Sequence, residues 1–316
     1  MTPPRAHSTS ERDALISELA TLTTEIAAAE RADLERLDTE QLVRSMNAED
    51  HRVPEAIAER IPEIARAIDG IVERMRRGGR IIYLGAGTAG RIGILDASEC
   101  PPTFGTDPSQ IIGLIAGGEP AIRTAVENAE DDDAAAAAEL AELGLTADDS
   151  VVGISASGRT PYVAGGLTYA RGVGALTIAI SSNSPSTIGT LADVPIEVVV
   201  GPEFVAGSTR LKSGTAQKLV VNMLTTITMI RFGKTYRGVM VDLQATNRKL
   251  HARSVRTVMG LTGVDADTAD ATLAAVDGSV KEALLVLIAG VPAADARAAL
   301  ERVGGLLPEA VAAARA

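Results

Sequence analysis

The chain has 316 residues, 46% of them hydrophobic, with 30 basic against 41 acidic side chains and a formal net charge of −11. That length supports one large domain plus a smaller one, and its core must be aliphatic, because there are 3 Phe, 4 Tyr and no Trp. The acidic balance disfavours a polyanionic partner, and the scarcity of aromatic rings leaves no stacking platform for single-stranded nucleic acid.

Residues 1–10 are polar and contain no apolar run of the kind a secretion signal carries. Ser8-Thr9-Ser10-Glu11 offers a capping signal for a helical pattern that runs from about 12 to 78. Within it Ile57, Ile61, Ile64, Ile68 and Ile71 recur at three- and four-residue spacing and predict one apolar stripe, closed by Gly78-Gly79. Five apolar runs follow, at 80–84, 111–116, 150–155, 175–181 and 196–200. Helical patterns lie between them at about 88–99, 119–142, 161–172 and 185–191, and another spans 214–231. The runs are continuously apolar rather than alternating, which predicts strands buried on both faces. Strand and helix in this rhythm predict an α/β fold with a doubly wound, five-stranded parallel sheet. Ligands of such sheets bind beyond the carboxyl ends of the strands.

From about 240 onward the pattern is alanine-rich and all-helical, with breaks at Gly260, Gly263, Gly278, Gly290 and Gly304-Gly305. The expected organisation is a helical N-terminal segment over 1–58, the sheet domain over 59–235, and a small helical domain over 236–316. No apolar stretch approaches the roughly 18 residues of a membrane helix. Asp131 to Ala137 is expected to be a solvated helix face. Cys100 is the only cysteine, which fits a reducing cytoplasm. His7, His51 and His251 are scattered without metal-ligand spacing, so no metal site is expected.

Two glycine- and hydroxyl-rich turns carry the chemistry. Gly85-Ala86-Gly87-Thr88-Ala89-Gly90 follows the first apolar run, and Ser155-Ala156-Ser157-Gly158-Arg159-Thr160 follows the third. Backbone N–H groups at a helix start, joined by short hydroxyl side chains, make an anion site. The first turn matches the dinucleotide fingerprint, but the acidic residue about 20 positions on is misplaced: Asp107 precedes the second run and Glu119 falls beyond the spacing. A dinucleotide accounts for one turn, whereas a sugar phosphate accounts for both. The bland alternative is a pair of ordinary turns with N-cap hydroxyls. Arg91 and Arg159 follow the turns and suit either an anion or surface ion pairs.

Among the carboxylates, Glu99 precedes Cys100-Pro101-Pro102, and proline ends a helix near its predecessor. The expected helix end would favour a neutral, proton-donating carboxyl there. Glu127 and Glu130 stand three apart on the helix expected from Glu119-Pro120 and would share a face. A second carboxylate opposite Glu99 would complete an acid–base pair. Lys212, in the polar stretch Ser208–Gly214, suits either a substrate oxygen or a helix end.

These motifs together closely resemble the N-acetylmuramic acid 6-phosphate etherases. The resemblance rests on Leu84–Arg91, Asp96-Ala97-Ser98-Glu99-Cys100-Pro101-Pro102, Ser155–Tyr162, Gly207–Lys218, Met240-Val241-Asp242 and Ala245-Thr246-Asn247, and it covers roughly residues 39–316. It implies a sugar isomerase (SIS) domain, a C-terminal domain similar to a ubiquitin-associated fold, and a homodimer working in bacterial cell-wall recycling. It implies removal of the D-lactyl ether at carbon 3 of the sugar, with no metal or organic cofactor. The family's proton donor falls on Glu99 and its second active-site glutamate on Glu130, with Asn128 where some relatives carry Gly. The substrate's sugar and phosphate then fall to Gly87, Thr88, Ser155, Ser157, Arg159, Thr160, Ser208 and Lys212. The rival readings are a sugar-phosphate aldose–ketose isomerase and a non-catalytic sugar-phosphate sensor akin to the glucokinase regulatory protein.

Overall fold

The computed structural model describes residues 33–242 and 248–315 throughout, preceded by 13, 16–17, 19–28 and 31. The expected cap at Ser8–Glu11 and the Ala245-Thr246-Asn247 motif lie outside the described residues. The chain divides into two compact units, one of residues up to Asp96 with Ile112–Met223, the other of Ala97–Ile111 with Leu224–Ala316.

In the first unit three helices precede the sheet: α1 (Thr39–Asp50), α2 (Arg52–Ala58) and α3 (Ile61–Arg76). Asp38 and Gln41 start α1 with a reciprocal capping box. The expected isoleucine stripe is split. Ile57, Ile64, Ile68 and Ile71 are buried, but Ile61 is 57% exposed. The reason is that α3 begins at Ile61, with Pro62 in its first turn, so the two helices do not share one face.

The sheet consists of β1 (Ile81–Gly85), β2 (Ile111–Ile115), β3 (Ser150–Ile154), β4 (Leu176–Ser181) and β5 (Val194–Glu197). It is five-stranded and parallel, in the order β2-β1-β3-β4-β5. The fifth strand starts and stops earlier than the apolar run 196–200, because its pairing ends with β4 at Ser181 opposite Glu197.

Between the strands run α4 (Gly87–Phe104), α5 (Gly118–Arg123), α6 (Ala135–Glu142), α7 (Pro161–Val173) and α8 (Thr187–Leu191), with α9 (Lys212–Arg231) after the sheet. The helix expected over 119–142 is therefore two helices joined by a 3-10 turn at Ala129–Asp131. Ile82, Leu84, Leu140, Val151, Val163 and Leu167 pack into one buried cluster between sheet and helices. Each such side chain contributes about 1.5–3 kcal/mol on burial.

The second unit carries a small antiparallel hairpin, β6 (Thr235–Tyr236) with β7 (Val239–Met240). Arg237 and Gly238, at φ 50 and 77, make its two-residue turn. Five helices follow: α10 (Arg248–Thr262), α11 (Ala266–Ala275), α12 (Val280–Ala289), α13 (Ala293–Glu301) and α14 (Leu307–Arg315). They enclose Val258, Leu273, Leu284, Leu285 and Leu307. Gly260 does not break α10, whereas Gly263, Gly278, Gly290, Gly304 and Gly305 all sit at positive φ between helices. Among the described residues no single helix is long and apolar enough to cross a membrane.

Candidate active site

The first turn is shaped by close backbone approach. A Cβ on Gly85 would lie 2.5 Å from the Gly90 nitrogen, so only glycine lets α4 start this near the end of β1. Gly87 is exposed at φ 54, with open space around it. Thr88 is half-buried, and a Cβ on Gly214 in the first turn of α9 would lie 3.4 Å from its methyl carbon. Two helix starts thus meet at Thr88. The Arg91 guanidinium points elsewhere, donating to the carbonyls of Ala121 (2.7 Å) and Ile122 (2.9 Å) near the end of α5. There it offsets the negative end of that helix.

Beside Gly87 lies a cleft of about 210 Å³, lined by Arg91, Val126, Glu127, Asn128 and Glu130 among others. Glu130 is exposed on the 3-10 turn. It does not share a helix face with Glu127, because α5 has already ended at Arg123. Asn128 sits at φ 61, in the left-handed region that turns the chain back toward the sheet. Asp132 then accepts from the backbones of Ala134 and Ala135 at the start of α6, both at 3.1 Å.

The second turn is tied together by its own hydroxyls. Ser155 Oγ lies 2.7 Å from Thr160 Oγ1 and 3.3 Å from Ser157 Oγ, and it accepts from the Gly158 N–H at 3.0 Å. Gly158 is at φ 74, and a Cβ there would run into Ser186 at 2.4 Å. Asn183, two residues past β4, donates to the Ala156 carbonyl at 3.0 Å and accepts from the Thr23 backbone at 2.8 Å. Arg159 is half-buried and faces a separate open cavity with Asp133 and Tyr169. Tyr162 follows the turn, fully buried, and its hydroxyl donates to the Glu139 carboxylate on α6. Burial, reinforced by that carboxylate, pushes its phenol well up from the ordinary value.

Glu99 stands differently from the expectation. α4 continues through Pro101 and Pro102 to Phe104, so Glu99 is not at a helix end. Proline's fixed φ suits a helix, and here the chain accepts the loss of two N–H donors. Glu99 is exposed, twelve residues after Gly87 on one helix. At 1.5 Å per residue that is about 18 Å along the axis.

Lys212 is fully buried, and its ammonium donates to Glu49 on α1 at 2.8 Å rather than standing open to a ligand. Arg31 reaches the same carboxylate at 2.8 Å. Burial alone would raise the Glu49 carboxyl, but the Lys212 hydrogen bond and the charges of Lys212, Arg31 and Arg52 hold it below its ordinary value. The start of α9 is capped by Glu203, whose carboxylate accepts from the backbones of Lys212 and Ser213, each at 2.9 Å. Ser208 is half-buried in the loop leading to that helix. Glu49 carries no local sequence signal, since its partner Lys212 is 163 residues away, and Glu203 caps α9 from nine residues before it, beyond the reach of a capping-box pattern.

The fold thus joins Gly87 and Glu130 around one cleft and ties Ser155, Ser157 and Thr160 into one cluster. It turns Lys212 onto Glu49 and carries Glu99 far along α4. Among the described residues no cluster of His, Cys, Asp and Glu is placed to hold a metal ion.

Two family models match the chain: the glucokinase regulatory protein N-terminal SIS domain over residues 63–171, and the SIS domain over 126–227. The N-acetylmuramic acid 6-phosphate etherase of Streptomyces avermitilis is 56% identical over 97% of this chain and 99% of its own length. That of Brucella anthropi is 54% identical over 94% of this chain and 97% of its own. Among solved structures, a phosphoheptose isomerase from Francisella tularensis superposes at TM-score 0.48 and 20% identity, over 61% of this chain and all of that one.

Proposed function

The chain belongs to the N-acetylmuramic acid 6-phosphate etherase family, and from that premise we propose how its residues remove the D-lactyl ether of that sugar phosphate, giving N-acetylglucosamine 6-phosphate and D-lactate. The observation that carries the reading is the cleft in which Glu130 faces Gly87 of the first phosphate turn.

The ring-opened sugar has an aldehyde, which acidifies the proton on carbon 2. A carboxylate removes that proton, and a carboxylic acid protonates the ether oxygen on carbon 3 as lactate leaves. Water then adds to the unsaturated aldehyde. Glu99 is the acid toward the ether oxygen, and Glu130 serves the carbon-2 proton or the incoming water, each worth about 10²–10⁴ in rate. Thr88, Ser155, Ser157, Thr160 and Ser208 hold the sugar phosphate, which lowers the entropy cost of alignment. Lys212 supports them from beneath by fixing the first turn of α9 through Glu49. In this reading neither metal nor organic cofactor takes part.

The protein works as a homodimer. The about 18 Å of helix between Gly87 and Glu99 exceeds a hexose phosphate in length, so the acid acts on substrate gripped by the partner protomer. Ile227 and Ile230 on α9 are 38% and 47% exposed, apolar side chains that a second copy would cover. The buried lone Cys100 suits a reducing cytoplasm.

The test is D-lactate release by the purified protein from N-acetylmuramic acid 6-phosphate, expected at one lactate per sugar. No lactate, with fructose 6-phosphate isomerised instead, would overturn the reading. Ser157→Ala tests the grip: KM should rise about tenfold with kcat unchanged, as loss of one hydrogen bond to a charged group requires.

A further inference from the structure

Asp96 lies three residues before Glu99 on α4 and is only 5% exposed. Its carboxylate is gripped from two sides. The Tyr83 hydroxyl on β1 donates to Oδ2 at 2.8 Å, and the Asn222 amide on α9 donates to Oδ1 at 2.7 Å. Tyr83 is fully buried, and a Cβ on Gly93 would lie 2.7 Å from the Tyr83 Cβ, so α4 rests directly on β1 at this level.

A buried carboxylate is an unfavourable choice for a simple fastener. It loses hydration that an apolar side chain of similar size would never need. What it adds is direction: hydrogen bonds to two different elements fix both the rotation and the register of the helix that carries it. Positions i and i+3 are neighbours on a helix surface, so whatever fixes the rotation at Asp96 fixes it at Glu99. We infer that Asp96, clamped between Tyr83 and Asn222, is a positioning residue that aims Glu99 at the ether oxygen. The inference rests on Glu99 being the acid.

The experiment compares Asp96→Asn, Asn222→Asp and the double variant with wild type, measuring kcat, KM and melting temperature for D-lactate release. Asp96→Asn should lower kcat about 30- to 100-fold with KM within threefold, since small misplacements of a reacting group cost about that much. The double variant restores the bond with donor and acceptor exchanged, while the carbonyl of the introduced amide still accepts from Tyr83, and kcat should recover to within about fivefold of wild type. A merely structural role would instead leave kcat of the folded enzyme at the wild-type value. A folded Asp96→Asn enzyme with wild-type kcat overturns the inference, as does a double variant that regains melting temperature but not kcat. Should Asp96→Asn fail to fold, Tyr83→Phe replaces it: a five- to tenfold fall in kcat at constant KM is expected, and no change overturns. Glu99→Gln is run alongside. If it keeps its turnover, the acid assignment fails; if it is dead while Asp96→Asn is unaffected, the positioning role alone fails.

Discussion

α4 and the segment from Thr124 to Asp133 each present one of the two carboxylates proposed as acid and base, and the two stand on opposite kinds of support. Glu99 stands on an 18-residue helix seated on β1, with Asp96 hydrogen-bonded to two other elements one turn earlier. Glu130 stands on a three-residue 3-10 turn, set by one left-handed residue before it and by the Asp132 hydrogen bonds to the start of α6 after it. The first arrangement fixes the helix that carries the side chain through long-range packing. The second fixes a short turn through local backbone geometry and leaves the carboxylate beside an open cleft. In the proposed roles, a carboxyl on a fixed helix suits protonation of one defined oxygen, whereas a carboxylate on a short turn can meet first a carbon-bound proton and then a water.

The largest effect should come from Glu99→Gln. D-lactate release should fall by about 10³ or more, while calorimetry shows sugar-phosphate affinity nearly unchanged. Retained turnover would erase the distinction between the two carboxylates.

Glu130→Gln should cost about 10² in kcat. It also divides the two roles open to that residue. If Glu130 takes the carbon-2 proton, exchange of that proton with D₂O stops in the variant. If it serves water addition, exchange continues and the unsaturated sugar accumulates.

The frame behind α4 is tested through Glu49, because its pair with Lys212 secures the turn of α9 that touches Thr88. Glu49→Gln leaves a buried lysine without its charge partner and should lower stability by roughly 3 kcal/mol at neutral pH, measured by denaturant unfolding. The folded-state carboxyl lies below its ordinary value of 4.5. Its contribution is therefore complete above that value and is lost as pH falls through the lower, folded one, so wild type and variant should converge in acid. A gap that widened on acidification would contradict the assignment.

The smallest effects belong to Asn128. Gly should be tolerated within about twofold in kcat, because φ 61 suits it. Val should cost about 1–2 kcal/mol and about tenfold in kcat, since a β-branched residue resists that conformation. Equal behaviour of Gly and Val would show that the turn does not place Glu130.

The same contrast explains what is legible in the residues. The central strands are visible because Ile81–Leu84, Ser150–Ile154 and Leu176–Ser181 are buried on both faces, and burial of that kind leaves a continuous apolar signature, whereas the bounds of the half-buried β5 are not legible. Both glycine-bearing turns are visible because backbone geometry demands those residues locally. The split of 119–142 is hard to see, since alanine and glutamate at both ends favour helix, while the break between them rests on the extended backbone at Thr124 and the left-handed angle at Asn128. The end of α4 is hidden too, because two prolines lie within a helix that tertiary packing sustains past them. The partners of Lys212 and Asp96 lie 163 and 126 residues away, for Glu49 and Asn222 respectively, so no local pattern can announce them.

Turnover in H₂¹⁸O tests the central chemistry most directly, by mass analysis of both products. Elimination followed by hydration predicts ¹⁸O on carbon 3 of N-acetylglucosamine 6-phosphate and none on D-lactate, which departs with the original ether oxygen. Label found on lactate, with the ether oxygen retained by the sugar, would contradict it.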